Sequence, residues 1–170
     1  HAQLVTNTWL AGAELWMHHM AQEGYIVFTV DGRGSANRGF AFESAIHRHV
    51  GDAEIEDQLA GVEYLKAQTF VDPARIGVFG WSYGGFMASN CISIGAGYFK
   101  AAVAVAPVTN WRFYDNIYTE RYMRTPKENA AGYDDNSPIN HVDKIKGHYL
   151  LIHGTADDNV HFQNAVEMVK

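Results

Sequence analysis

The sequence predicts an α/β fold built on a mostly parallel sheet with helices on both faces. Three observations carry that expectation: near-continuous apolar runs at 76–79, 101–106 and 149–153, helix-patterned stretches between them, and a Gly-x-Ser-x-Gly at 80–84 where the first run stops. Strands covered on both faces lose the polar alternation of a half-exposed sheet, and parallel strands need crossovers long enough to hold a helix. The chain has 170 residues, 47% of them hydrophobic and 13% aromatic, which suits one packed domain rather than a disordered polymer.

Taken in order, residues 9–22 place Leu10, Ala13, Trp16, Met17 and Met20 on one helical face, and Gly24 ends that helix. His18 and His19 lie in it, but adjacent helical residues point about 100° apart, so they do not read as paired metal ligands. Tyr25–Val30 is strand-like, and Asp31-Gly32-Arg33-Gly34-Ser35 after it reads as a tight loop. That loop is no dinucleotide fingerprint, because Asn37 stands where the third glycine belongs.

From Asp52 to Gln68, Ile55, Leu59, Val62 and Leu65 form one apolar stripe, with Glu54, Glu56, Asp57 and Glu63 off it. These acids read as a solvated face crowded toward the helix N-terminus, where the dipole favours them. Phe70–Pro73 turns the chain into the strand before Ser82, and Thr125–Asn140, polar and bearing Pro126 and Pro138, reads as an irregular excursion. In a parallel sheet ligands meet the carboxyl ends of the strands, so Asp31–Ser35, Ser82, Pro107–Trp111 and Gly154–Val160 are expected to face one site.

Composition excludes several classes of function. A net charge of −6 with scattered basic residues offers no stripe for nucleic acid and no attraction to anionic lipid. The longest apolar run, Ala101–Val108, is too short to cross a bilayer, and residues 1–30 carry no export-signal pattern. The single cysteine, Cys91, has no internal disulfide partner and reads as a small buried apolar side chain. Neither a metal nor an organic cofactor is expected.

Ser82 is the candidate nucleophile. A glycine on each side lets a strand turn sharply into a helix, which lifts the hydroxyl clear of the sheet and aims the Tyr83 N–H where charge would develop on an attacked carbonyl. This is the nucleophile turn of an α/β-hydrolase fold, in which the acid and then the histidine follow the serine in sequence. Asp157, in the loop after the 149–153 run, is the best-placed acid, with Asp158 its rival; Asp134, Asp135 and Asp143 precede that run.

Several stretches together resemble the catalytic domain of the prolyl oligopeptidase family, and within it the branch that removes N-terminal dipeptides. They are Phe28–Ser35, Gly80–Gly85, Ala104–Val108, Ile117–Met123 and His153–Gln163, in family order from about Tyr25 to the end of the chain. The resemblance implies Ser82 as nucleophile, Asp157 as triad acid and Tyr83 as backbone oxyanion donor. It also implies that Val108, Trp111, Tyr114, Tyr118, Asn159 and Val160 line a pocket for a proline ring. A compact, pre-bent apolar ring suits flat aromatic and valine walls. By spacing alone, Trp111, Tyr114 and Tyr118 read equally well as helix packing.

The implied substrate is a peptide with proline or alanine second, the implied parent a homodimer that is periplasmic, secreted or membrane-anchored. The sequence departs from the family where His161 follows Asp157 too closely to be the base. His141, His148 and His153 precede the acid. The resemblance therefore implies a base beyond Lys170, with first strands, a second oxyanion donor and a substrate-gripping propeller domain also outside the chain; alone, this portion is expected to be nearly inactive. Another α/β-hydrolase, such as an esterase or acylaminoacyl peptidase, and a non-catalytic binding module are the rival readings.

Overall fold

The carboxyl ends of three parallel strands set the position of everything functional in this chain. In a computed structural model describing residues 2–5 and 15–170, β1 (Gly77–Trp81), β2 (Ala101–Val105) and β3 (His148–Ile152) lie side by side in that order. The pairing aligns Gly77 with Ala101 and His148, and Trp81 with Val105 and Ile152, so all three strands stop on one line. The order of the helices is α1 (Leu15–Gln22), α2 (Phe40–Glu43), α3 (Asp52–Lys66), α4 (Tyr83–Ser93), α5 (Asn116–Met123), α6 (Ala130–Asp135) and α7 (Gln163–Val169). The matched apolar runs thus form the expected strands of an α/β-hydrolase fold.

Helix α4 is the central element. Its residues are mostly small, and Gly85 meets the end of β2 so closely that a Cβ would stand 3.0 Å from the Val105 carbonyl oxygen and 2.9 Å from the Cα of Pro107 just beyond it. Close approach buries Phe86, Ala88, Cys91 and Ile92 completely; each large apolar side chain so buried contributes about 1.5–3 kcal/mol. One core, of Val62, Ile76, Cys91, Ile92, Phe99 and Ala102, joins α3 and α4 to the sheet. A second, of Ile46, Val50, Tyr83, Phe86, Val108, Trp111, Met123, Tyr133 and Val160, lies under the carboxyl rim.

Among the described residues, little packs on the opposite face of the sheet. Trp16 of α1 packs edge-on against Phe79 at 5.1 Å between ring centres, yet Phe79, Trp81, Leu150 and Ile152 remain 46–67% exposed. Within the expected first helix, Leu10 and Ala13 lie outside the described residues, and its end is as expected. Gly24, at φ +89°, closes it with Gly24 N–H on the Ala21 carbonyl and Tyr25 N–H on the Met20 carbonyl.

Three sequence expectations need correction. Tyr25–Val30 forms no strand. It packs instead on α3, with Phe28 stacked on Tyr64 and Gln58 donating to the Val30 carbonyl. Strand propensity does not replace a ladder partner, and the described sheet offers none beside this segment. The acids of α3 are not one solvated face: Glu54 is buried, and Asp57 is tied to Arg33. Thr125–Asn140 is also more ordered than expected, because Asn129 donates to the Arg48 and Met123 carbonyls and Tyr133 to the Arg124 carbonyl, fastening α6 into the second core.

Candidate active site

Ser82 stands between β1 and α4 with φ +58° and ψ −112°, a conformation costly for any residue with a Cβ. The surroundings impose it. Ser82 N–H donates to the Val105 carbonyl at 2.8 Å, Phe86 N–H to the Ser82 carbonyl at 3.0 Å, and Gly80 has no space for a side chain, since its Cβ would fall 1.9 Å from the Gly84 carbonyl oxygen. The serine is half-buried, and Tyr83 takes the first position of α4, where helix N–H groups point outward.

Ser82 opens onto a concavity lined by Tyr83, Val108, Trp111, Tyr114 and Tyr118. Asn110 accepts from Arg112 N–H and starts the short turn at Trp111, while Asp115 accepts from Tyr118 N–H and starts α5, so two local caps deliver the aromatic wall. The rings brace one another: Trp111 stacks on Tyr118 at 6.0 Å, and Tyr114 meets Tyr118 edge-on at 5.5 Å. Burial pushes the Tyr118 hydroxyl up from its ordinary range. It also raises that of Tyr114, helped by Asp115, so both present neutral hydroxyls.

Asp157 lies in the loop after β3. Its Oδ1 accepts from Asn159 N–H at 3.0 Å and Val160 N–H at 2.9 Å, and Oδ2 stands 3.6 Å from His153 Nε2. This loop geometry holds the carboxylate still, whereas the Asp158 side chain is exposed. Asn159 accepts from the Tyr114 hydroxyl at 2.8 Å, which links the loop to the aromatic wall. Buried Asn164 adds a second tie, accepting from Thr109 N–H at 2.9 Å.

The strand ends therefore bring Ser82, the aromatic wall and the Asp157 loop to one rim, with β2 between the strands that carry Ser82 and Asp157. The Asp31–Ser35 loop is not part of the lining. Arg33 turns it back onto α3 through paired bonds to Asp57 at 2.8 and 3.0 Å, and Gly34 sits against Ile46. His141 and His153 spend Nε2 on the carbonyls of Asp135 and Val160. Among the described residues no group of three His, Cys, Asp or Glu side chains is arranged to hold a metal.

The profile of the prolyl oligopeptidase family matches residues 13–170. The chain belongs to that family. Dipeptidyl peptidase 4 of Bos taurus is 44% identical over 159 residues, 91% of this chain and 21% of the relative. Dipeptidyl aminopeptidase B of Saccharomyces cerevisiae is 46% identical over 151 residues, 88% of this chain and 18% of the relative. The crystal structure of Porphyromonas gingivalis dipeptidyl peptidase 4 superposes with a TM-score of 0.88 at 46% identity, over 91% of this chain and 22% of that one. The chain thus spans about a fifth of the length of these relatives.

Within this prolyl oligopeptidase-family segment, sequence reasoning missed the surroundings of Tyr83. Its ring is buried against Phe86 and Trp111, 5.7 and 5.4 Å away between ring centres, and its hydroxyl donates to Glu54 Oε1. The Glu54 partner Gly51 was legible, because a glutamate three residues after a helix cap commonly accepts the cap N–H, as Oε2 does here at 2.8 Å. Tyr83, 29 residues away, left no local signal.

Proposed function

We propose that this chain supplies the nucleophile, the triad acid and the proline pocket of a serine peptidase that removes N-terminal dipeptides. The observation that carries the reading is Ser82 held at positive φ on a strand-to-helix elbow, open to an aromatic concavity. In this reading Ser82 Oγ attacks the carbonyl of the second substrate residue as an imidazole takes its proton. The oxyanion accepts from Tyr83 N–H; its collapse breaks the C–N bond as the imidazolium gives its proton to the leaving amine, and the dipeptidyl ester left on Ser82 is then hydrolysed by water.

Asp157 orients the imidazole, and its two backbone donors support that role by fixing the carboxylate. Val108, Trp111, Tyr114 and Tyr118 clasp the ring of proline or the methyl of alanine, both compact apolar groups suited to flat aromatic and valine walls. Asn159 and Val160 support the wall, through the Tyr114 hydroxyl and the second core. Its relatives dipeptidyl peptidase 4 and dipeptidyl aminopeptidase B bear names that agree with this reaction.

The test is turnover of X-Pro chromogenic amides by a full-length chain containing this sequence. Ser82→Ala should lower kcat by about 10⁴-fold or more, with the dipeptidyl ester trapped on Ser82 in the parent. Preference for simple acyl esters over X-Pro amides would instead favour an esterase, and undiminished turnover by Ser82→Ala would overturn the nucleophile.

A further inference from the structure

Glu54 has no part in the triad or the pocket, yet it is 8% exposed and grips two other groups at once. Oε2 accepts from Gly51 N–H at the start of α3, and Oε1 accepts from the Tyr83 hydroxyl. A buried carboxylate held by two neutral donors is a costly arrangement compared with an apolar side chain, so its geometry calls for a purpose. Burial pushes the Glu54 carboxyl up, while the bonds from Tyr83 and Gly51 resist.

The purpose follows from what Tyr83 connects. The peptide between Ser82 and Tyr83 carries the N–H read above as the oxyanion donor, and it leaves Ser82 at a ψ of −112° that the neighbouring structure must impose. On the serine side, β2 imposes it through the Val105 carbonyl. On the tyrosine side the constraint is the side chain itself: its ring is wedged between Phe86 and Trp111, and its far end is fastened to Glu54. Releasing that far end frees the first turn of α4 to tilt, and a tilt redirects the Tyr83 N–H.

We propose that Glu54 is a positioning residue for oxyanion stabilisation: through the Tyr83 hydroxyl it clamps the first turn of α4 to the N-terminus of α3 and so aims the Tyr83 N–H. The proposal rests on the reading of Ser82 as nucleophile. Because Tyr83 also packs on Trp111, a purely structural role would loosen the pocket wall and show in KM. Aiming an N–H shows in kcat, since a donor directed at the oxyanion acts in the transition state and not in the bound substrate.

The experiment compares Tyr83→Phe, Glu54→Gln and the double variant in a full-length chain containing this sequence, with X-Pro chromogenic amides and with a fluorophosphonate that labels the serine. Tyr83→Phe keeps the ring packing and is expected to lower kcat by about 10- to 100-fold with KM within about two-fold, in line with a slightly misplaced donor. Glu54→Gln is expected to lower kcat about ten-fold, and the double variant to be no slower than Tyr83→Phe, because both act through one bond. Fluorophosphonate labelling should slow in parallel.

Unchanged kcat in both single variants, a change confined to KM, or losses that multiply in the double variant would each overturn the proposal. Where Tyr83→Phe does not fold, as judged by thermal melting, the isosteric Glu54→Gln alone decides by the same kcat and KM readings. Ser82→Ala runs alongside: if it still turns over substrate, the nucleophile reading falls and the positioning role with it, whereas an inactive Ser82→Ala beside unaffected Glu54 and Tyr83 variants sinks the positioning role alone.

Discussion

The two faces of the sheet are built from equally apolar residues and have opposite surroundings. Val78, Ala102, Ala104 and Tyr149 point to α4 and are buried or nearly so, while Phe79, Trp81, Leu150 and Ile152 on the reverse are largely exposed. The covered face shows what fixes the site. A helix that begins at the elbow and lies flat on the strands converts apolar burial into the strained geometry of Ser82. On the reverse face the same apolar pattern meets little cover among the described residues of a chain that spans about a fifth of the length of its relatives.

The sharpest way to break the comparison is Gly80→Ala on the covered side. A methyl there would stand 1.9 Å from the Gly84 carbonyl oxygen, a backbone atom and not the end of a flexible side chain, so a loss above about 4 kcal/mol, or no folded protein, is expected in urea titration. Phe86→Ala, in a completely buried position, should cost about 3–5 kcal/mol through a cavity under the elbow, read as a lowered urea midpoint with an unchanged slope.

Asp57→Asn probes the clamp that turns the 31–35 loop away from the rim, and its effect should depend on pH. Burial raises the Asp57 carboxyl, but the bonds from Arg33 outweigh it and leave the group below its ordinary range when folded. A carboxyl lowered in the folded state contributes stability above its unfolded pKa and loses it as pH falls through the folded one. The variant should therefore be less stable than the parent by about 1 kcal/mol at neutral pH, with the gap in melting temperature closing as the solution is acidified below the carboxylate range. A gap that widens in acid would reverse the assigned sign.

Leu150→Thr tests the reverse face and should be the mildest change. The side chain is already 53% exposed and threonine suits a strand, so the effect should stay within about 0.5 kcal/mol. A loss of several kcal/mol in the 170-residue chain would mean that this face is covered in solution, and sedimentation at several concentrations would then show the second copy.

Much of this was readable in advance, for reasons that are local. The three strands announced themselves as short apolar runs with helical patterns between them, and Gly80 marked the elbow because a Cβ there would meet the Gly84 backbone, whereas a Cβ at Gly84 itself would meet nothing within 4 Å. Trp111, Tyr114 and Tyr118 were ambiguous by spacing, and only the fold of the 107–118 segment over Ser82 turned them into a wall. Tyr25–Val30 misled because its residues have stronger strand propensity than the alanine-rich β2, yet β2 has a neighbour on each side and Tyr25–Val30 has none in the described sheet.

The sequence by itself determined the parallel α/β plan, the Ser82 elbow and the loop that carries Asp157, since each rests on periodicity or backbone freedom within a few residues. Tertiary structure alone decided that Glu54 goes inward to meet Tyr83 and that Arg33 withdraws its loop from the rim. Those outcomes depend on hydrogen bonds and packing between groups far apart in the chain, whose free energy exists only once folding has brought them together.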